Sequence, residues 1–381
     1  MNNREMSEYL NFEVSLENNE LIISIKHFIN RLNEIKSKNS NKEIKKEISQ
    51  IIHLINQLDS NLFDLNNNGF LLKEKNEYSL LINKDYFLDE LLQIKDSQTI
   101  ERVQYYIDRL IKGFTEVKTN KYNDINLNRW KEYNHILTDS LWLFDKRDNS
   151  GVHVGDYWGN FVPQIPNQML QRYTKKGEWV LDGFLGLGTT LIECKRLGRN
   201  GIGIELNPLV AKKAEKIINL EKNPSNVQTL VFTGDSQKLD IKKRIEEKHL
   251  EKVQLIILHP PYHDIIKFSE DNPDDLSNAE STEEFIKMFD NVIKNLTQVL
   301  EQGRYLVLVI GDKYSKGEWI PLGFLTMNEV IKNDYTLVSI IVKNFKETKG
   351  KRQQHELWRY RALTGGFYVF KHEYVMVFKK N

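Results

Sequence analysis

The stretch Val180-Leu181-Asp182-Gly183-Phe184-Leu185-Gly186-Leu187-Gly188-Thr189-Thr190 decides how this chain folds. Its opening is apolar, its middle holds Gly183, Gly186 and Gly188, and a helical pattern follows Thr190, so it reads as strand, tight loop and helix start. In a doubly wound sheet, ligands bind at the carboxyl ends of the strands, where glycine lets them approach the backbone. The spacing Asp-x-x-x-Gly-x-Gly lacks the third glycine of a dinucleotide fingerprint and the Gly-Lys-Ser/Thr of a phosphate loop, which argues against NAD and ATP. Glu205 closes the next strand-like run, where a carboxylate can accept from both hydroxyls of a ribose. Gly234-Asp235 closes the one after it, suited to accept from an adenine amino group.

Working outward, strand-like runs occur at Trp179–Asp182, Gly201–Glu205, Thr229–Phe232, Val253–Leu258 and Tyr305–Ile310. Helical stretches at Thr190–Leu197, Pro208–Leu220 and Thr282–Leu300 separate them. Such alternation predicts an α/β fold, a Rossmann-like doubly wound sheet with helices on both faces. Gly366 to Phe378 reads as a hairpin turning at Lys371-His372-Glu373, adding antiparallel strands at one edge. Residues 1–125 differ in texture: they contain no proline and two glycines, and apolar residues recur three and four apart in Leu21–Leu32 and Ile44–Leu58, with a third helical stretch at Tyr86–Val117. They are expected to form a mainly helical amino-terminal domain used for packing, dimerisation or substrate contact, with 126–381 as the second domain.

The 381 residues carry 54 Lys+Arg against 53 Asp+Glu, a net charge of +1, which excludes a passive nucleic-acid coat and leaves local patches. The only cysteine, Cys194, excludes intrachain disulfides and multi-cysteine metal sites. No His/Asp/Glu cluster has metal spacing, so no metal is expected. The amino terminus shows no secretory signal, mean hydropathy is −0.52 and no long apolar run occurs, so a soluble cytoplasmic protein without membrane contact is expected.

On these residues the chain resembles the S-adenosylmethionine-dependent DNA methyltransferases that modify exocyclic amino groups. Their first loop reads approximately Asp-Pro-Phe-x-Gly-x-Gly-Thr-Thr, and Asp182–Thr190 differs mainly by Gly183. Glu205-Leu206-Asn207-Pro208 is similar to the acidic ribose-binding turn, and Phe161-Val162-Pro163-Gln164-Ile165-Pro166 to an element whose phenylalanine lies beside the cofactor. The resemblance implies S-adenosylmethionine as cofactor, with Phe161, Asp182, Gly186, Gly188, Thr189, Glu205 and Asp235 around it. It covers about Trp158 to the carboxyl terminus.

The run Leu255-Ile256-Ile257-Leu258 ends in His259-Pro260-Pro261-Tyr262, where the family has Asp, Asn or Ser before Pro-Pro-aromatic. An amino group on adenine or cytosine is a poor nucleophile because its lone pair is delocalised into the ring. Acceptors on its two hydrogens, the first side chain and the carbonyl of the first proline, favour a pyramidal nitrogen. The two prolines stiffen the loop, and Tyr262 gives a stacking face for a base taken out of the duplex. His259 can serve as acceptor only while neutral, so activity is expected to fall as pH drops through roughly 6.5. Methylation at cytosine carbon 5 would need a catalytic thiolate, and Cys194 reads instead as a buried small hydrophobe.

From Lys343 to Lys380 ten Lys/Arg face three acids. Lys349, Lys351, Arg352, Gln353, Trp358, Arg359 and Arg361 are the candidate nucleic-acid contacts, within a basic segment at 343–366. The loop His263–Ser269 could cover a flipped base. The expected activity is transfer of a methyl group to N6 of adenine or N4 of cytosine in double-stranded DNA; His259 leaves the base open. A restriction or defence-system partner and a homodimer accompany that reading. The alternatives are an RNA or tRNA base amino-methyltransferase, or an inactive methyltransferase-fold DNA-binding subunit.

Overall fold

The computed structural model describes residues 14–17, 19–57, 79–155, 159–269, 272–315, 317–345 and 355–381. The chain divides into two compact units, one of residues up to Asn120 with Ile125–Asn134, the other of Lys121–Asp124 with His135–Asn381.

In the first unit β1 (Val14–Glu17), β2 (Glu20–Ser24) and β3 (Ser79–Asn83) form an antiparallel sheet in the order β1-β2-β3. With it come helices α1 (Ile25–Lys36), α2 (Asn41–Gln57), α3 (Lys84–Asp96) and α4 (Ile100–Thr115). Two expectations change here. The stretch Leu21–Leu32 is a strand before it is a helix: Leu21 and Ile23 are buried in alternation, and the β-branched run pairs with strands on both sides. The stretch Tyr86–Val117 is two helices, because Ser97 is extended and Thr99 starts α4 by accepting from the Arg102 N–H at 3.3 Å. Phe28, Phe87 and Phe114 meet edge to face at the centre of the core, with centroids 5.2–6.0 Å apart.

The second unit is built on an eight-stranded sheet. Its strands are β4 (Leu141–Trp142), β5 (Trp179–Asp182), β6 (Asn200–Glu205), β7 (Thr229–Thr233), β8 (Val253–Leu258), β9 (Leu300–Ile310), β12 (Tyr335–Asn344) and β13 (His372–Lys380). A small hairpin, β10 (Lys313–Ser315) with β11 (Glu318–Ile320), follows β9. The order is β4-β12-β13-β9-β8-β5-β6-β7, parallel from β7 to β9, with β13 antiparallel to both neighbours. Helices α5 (Gln164–Tyr173), α6 (Thr189–Leu197), α7 (Pro208–Leu220), α8 (Ile241–Glu246), α9 (Thr282–Thr297), α10 (Leu322–Lys332) and α11 (His355–Gly365) complete it. Strand β8 lies near the middle of the sheet, and its continuous apolar run Leu255–Leu258 is buried on both faces.

The expected hairpin within Gly366–Phe378 does not form. Phe367–Phe370 lies outside the strands, and His372–Lys380 is a single strand between β9 and β12. Its residues 373–378 are all buried, which suits an interior strand rather than an edge turn. No helix among the described residues is long and apolar enough to cross a membrane.

Candidate active site

Strands β5 and β8 are parallel neighbours, but the chain leaves β5 for β6 on one side and β8 for β9 on the other. Loops at such a switch point diverge and open a crevice at the carboxyl ends. The cavity there measures about 1440 Å³, and Phe161, Gly186, Glu205, Asp235, His259 and Tyr262 all line it. Pockets for one small ligand span roughly 300–1,000 Å³, so this one has room for a cofactor and a base together.

The glycine loop is organised from within by Asp182. Its Oδ1 accepts the Phe184 N–H at 2.9 Å and its Oδ2 the Thr190 hydroxyl at 2.6 Å, while burial pushes its pKa up to about 6. Gly188 stands at φ 86°, and a Cβ there would lie 2.6 Å from Ile218 Cδ1. The left-handed turn that aims α6 away from β5 therefore requires glycine.

On the β6 side, Glu205 Oε2 accepts from Gly186 N–H and Oε1 from Asn207 N–H, both at 2.9 Å. Asn207 caps α7 by accepting the Leu209 N–H at 2.9 Å, and Pro208 fills the first helical position. Burial raises the Glu205 pKa to about 7 and also raises that of Asp235, which accepts from the Gln237 N–H at 2.9 Å. Ser236 donates to the Gly183 carbonyl at 2.6 Å and so ties the end of β7 to the loop.

The β8 side carries a chain of polar contacts. His259 Nε2 lies 3.3 Å from the Tyr262 hydroxyl, which donates to Glu373 Oε2 at 2.7 Å, and Glu373 Oε1 pairs with Lys343 Nζ at 3.1 Å. Lys343 and Glu373 are both buried, on the adjacent strands β12 and β13. Burial pulls the His259 pKa down to about 4, opposed by Glu373 and reinforced by Lys343. The expected loss of activity through 6.5 is therefore moved to about 4, because an imidazolium here would lose its water. Phe161 packs on the His259 ring with centroids 4.9 Å apart. Tyr262 packs on the Gly311 backbone, where a Cβ would come within 2.9 Å of the ring.

A family model described as DNA methylase, of the N6/N4 kind, matches residues 15–216 and 253–381. This chain belongs to the N6/N4 DNA methylase family. Among curated proteins it is 28% identical over 219 residues to the type II methyltransferase M.MjaII of Methanocaldococcus jannaschii, covering 55% of this chain and 33% of that one. It is 35% identical over 110 residues to the type II methyltransferase M2.DpnII of Streptococcus pneumoniae, covering 24% and 41%. The tRNA (guanine(10)-N2)-dimethyltransferase of Methanocaldococcus jannaschii is 25% identical over 247 residues, covering 61% and 63%. The match thus spans between a third and two fifths of the two type II methyltransferases' own length.

Within this candidate site, the four motif residues His259, Pro260, Pro261 and Tyr262 share the cavity with Phe161, Gly186, Glu205 and Asp235. Asp182, Gly188 and Thr189, also expected around the cofactor, do not line it: Asp182 and Thr189 are buried, both oxygens of Asp182 hold the loop, and Gly188 makes its left-handed turn. Ile265, Ile266, Phe268 and Ser269 also line the cavity, where the loop after the motif was expected to cover a base. Of the candidate nucleic-acid contacts, Lys349, Lys351, Arg352 and Gln353 lie outside the described residues. Trp358, Arg359 and Arg361 stand on α11; both arginines are exposed, and the Arg361 guanidinium lies over the Trp358 ring, 5.3 Å from its centroid. Cys194 is fully buried and its thiol pKa is pushed up by burial, which keeps it inert. No group of three or more His, Cys, Asp or Glu among the described residues is placed to hold a metal. Lys343 and Glu373 were missed as site residues, since each counted only toward the charge of the tail.

Proposed function

We propose that this chain transfers a methyl group from S-adenosylmethionine to the exocyclic amino group of adenine (N6) or cytosine (N4), in a base turned out of double-stranded DNA. The observation that carries this reading is the single 1440 Å³ cavity holding both the glycine loop and His259-Pro260-Pro261-Tyr262 across the switch point. The residues fit the cofactor: a glycine backbone at the end of β5, a buried carboxylate at the end of β6 and another acid at the end of β7. Glu205 would accept from the ribose hydroxyls, Asp235 from the adenine amino group, and Phe161 would cover the adjoining apolar surface. When bound, the cofactor supplies an electrophilic sulfonium methyl.

His259, neutral over the working range of pH, and the Pro260 carbonyl accept the two hydrogens of the target amino group and turn its lone pair toward the methyl. Tyr262, fixed at its hydroxyl by Glu373, offers its ring to the extruded base. Arg359, Arg361 and Trp358, with Lys349, Lys351, Arg352 and Gln353, supply phosphate and base-edge contacts, within a restriction or defence setting in the cytoplasm.

Transfer of a labelled methyl from S-adenosylmethionine to duplex DNA, with tRNA as competitor and the modified nucleoside identified by mass spectrometry, tests the reading. N6-methyladenine or N4-methylcytosine in DNA supports it. Labelling of tRNA alone, or cofactor binding without transfer to either, refutes it.

A further inference from the structure

We propose that Glu373 is a positioning residue that, acting through Tyr262, sets the tautomer of His259, so that Nε2 carries the hydrogen and Nδ1 is the ring's acceptor. The inference deepens the function proposed above and rests on it. It follows from the direction each bond must take. An ionised carboxylate accepts only, and an ammonium donates only. Glu373 is anchored by Lys343 at 3.1 Å, so its other oxygen can only accept, and the Tyr262 hydroxyl at 2.7 Å must give it its one hydrogen.

Having spent that hydrogen, the Tyr262 oxygen can only accept from His259 Nε2, 3.3 Å away. Nε2 therefore bears the proton, and a neutral imidazole then keeps its lone pair at Nδ1. Covalent geometry supports the same outcome. Nδ1 is bonded to Cγ, as is the acceptor oxygen of the asparagine or aspartate that stands at this position in the family pattern, so it lies the same number of bonds from the backbone. The opposite tautomer would present an N–H to an amino group that needs an acceptor. Burial and the Glu373 charge both keep Tyr262 protonated, so the chain of bonds persists across neutral pH.

The test is ¹⁵N NMR of the full-length protein labelled at histidine, with the His259 signals identified by their loss in His259→Asn. At neutral pH the wild-type protein is expected to show a protonated Nε2 and a bare Nδ1. The decisive variant is Glu373→Gln. Its amide oxygen must face the Lys343 ammonium, which turns the NH₂ group toward Tyr262. Tyr262 then accepts on that side and donates to His259 Nε2, and the tautomer inverts.

Glu373→Gln is thus expected to move the hydrogen to Nδ1 and to lower kcat at least about ten-fold, with KM for the cofactor changed less than about two-fold. A wild-type spectrum with the hydrogen on Nδ1 overturns the proposal, and so does a Glu373→Gln protein whose tautomer or kcat is unchanged. If that variant fails to fold, the wild-type spectrum still decides. If the spectra behave as expected while the wild-type protein methylates no DNA, the relay stands and the proposed function fails.

Discussion

Lowering the pH should weaken cofactor capture well before it touches methyl transfer itself. Two groups with opposite requirements face the same cavity. As the proposed acceptor of ribose hydroxyls Glu205 must be ionised, and burial has raised its pKa to about 7. As the proposed acceptor of the target amino group His259 must be neutral, and burial has lowered its pKa to about 4. With a pKa of about 7, the ionised fraction of a carboxyl falls from about 90% at pH 8 to about 3% at pH 5.5, so kcat/KM for the cofactor should fall at least about thirty-fold over that interval, Asp182 and Asp235, whose pKa values burial also raises, adding to the loss. At pH 5.5 a histidine with a pKa of about 4 is still about 97% neutral, against about 9% for one at 6.5, so kcat at saturating cofactor should stay nearly flat. The assay is initial-rate methyl transfer to duplex DNA at constant ionic strength, varying the cofactor at each pH. A kcat that halves near pH 6.5 would refute the buried, neutral histidine. A kcat/KM that stays level from pH 8 to 5.5 would refute Glu205 as the ribose acceptor.

Other outcomes follow from individual side chains. His259→Asn keeps an acceptor at the same bond position and should retain methyl transfer without an acid limb near pH 4, whereas His259→Phe should bind cofactor and transfer nothing measurable; equal rates in the two would sink the acceptor role. Gly188→Ala combines a left-handed φ of 86° with a Cβ 2.6 Å from Ile218. Strain of about 1–2 kcal/mol and overpacking of about 1–3 kcal/mol should lower stability by about 2–5 kcal/mol in denaturant titration, and a change under about 0.5 kcal/mol would contradict the loop geometry. Reversing charge at Arg359 and Arg361 together should weaken DNA binding alike on all sequences and make log K fall less steeply with log salt, by about 0.9 in slope for each phosphate no longer neutralised. An unchanged slope would remove α11 from the DNA interface.

What the sequence made legible was local. The glycine loop, the acids ending β6 and β7 and the prolines after β8 each occupy a few consecutive residues, and each declares its element through a change of period or a breaker. The partner of Tyr262 was hidden because Glu373 lies 111 residues further along and is brought in by β13. Its burial also reverses the meaning of Lys343, which in the sequence is one cation of a basic tail and in the fold is an ion-pair partner deep in the sheet. The misplaced hairpin has a comparable cause. Phe367 and Phe370 look like strand residues, yet they pack on Tyr314 and Trp319 with centroids 4.1 and 4.0 Å apart, and both line the cavity. The strand that pairs with β13 on the side away from β9, Tyr335–Asn344, carried its signal in Leu337-Val338-Ser339-Ile340-Ile341-Val342, a run rich in β-branched residues that closed no recognisable motif.

The buried charges of this site explain one another. An ion pair such as Lys343–Glu373 contributes little net stability over a well-packed apolar pair, because removing both charges from water offsets their attraction. Its effect lies in direction. A hydroxyl or an amide can both donate and accept, so a chain built from such groups can run either way, whereas an anchored carboxylate forces every hydrogen bond leading to it to point one way. Asp182 does the same in the glycine loop: ionised at neutral pH with a pKa of about 6, it obliges Phe184 N–H and the Thr190 hydroxyl to point inward. Glu205, when ionised, holds Gly186 N–H and Asn207 N–H in the same manner, and with a pKa of about 7 it does so fully only on the alkaline side of neutrality. Three carboxylates at the carboxyl edge of one sheet thus fix which atoms of the cavity wall can still accept, and acceptors are what a target amino group requires.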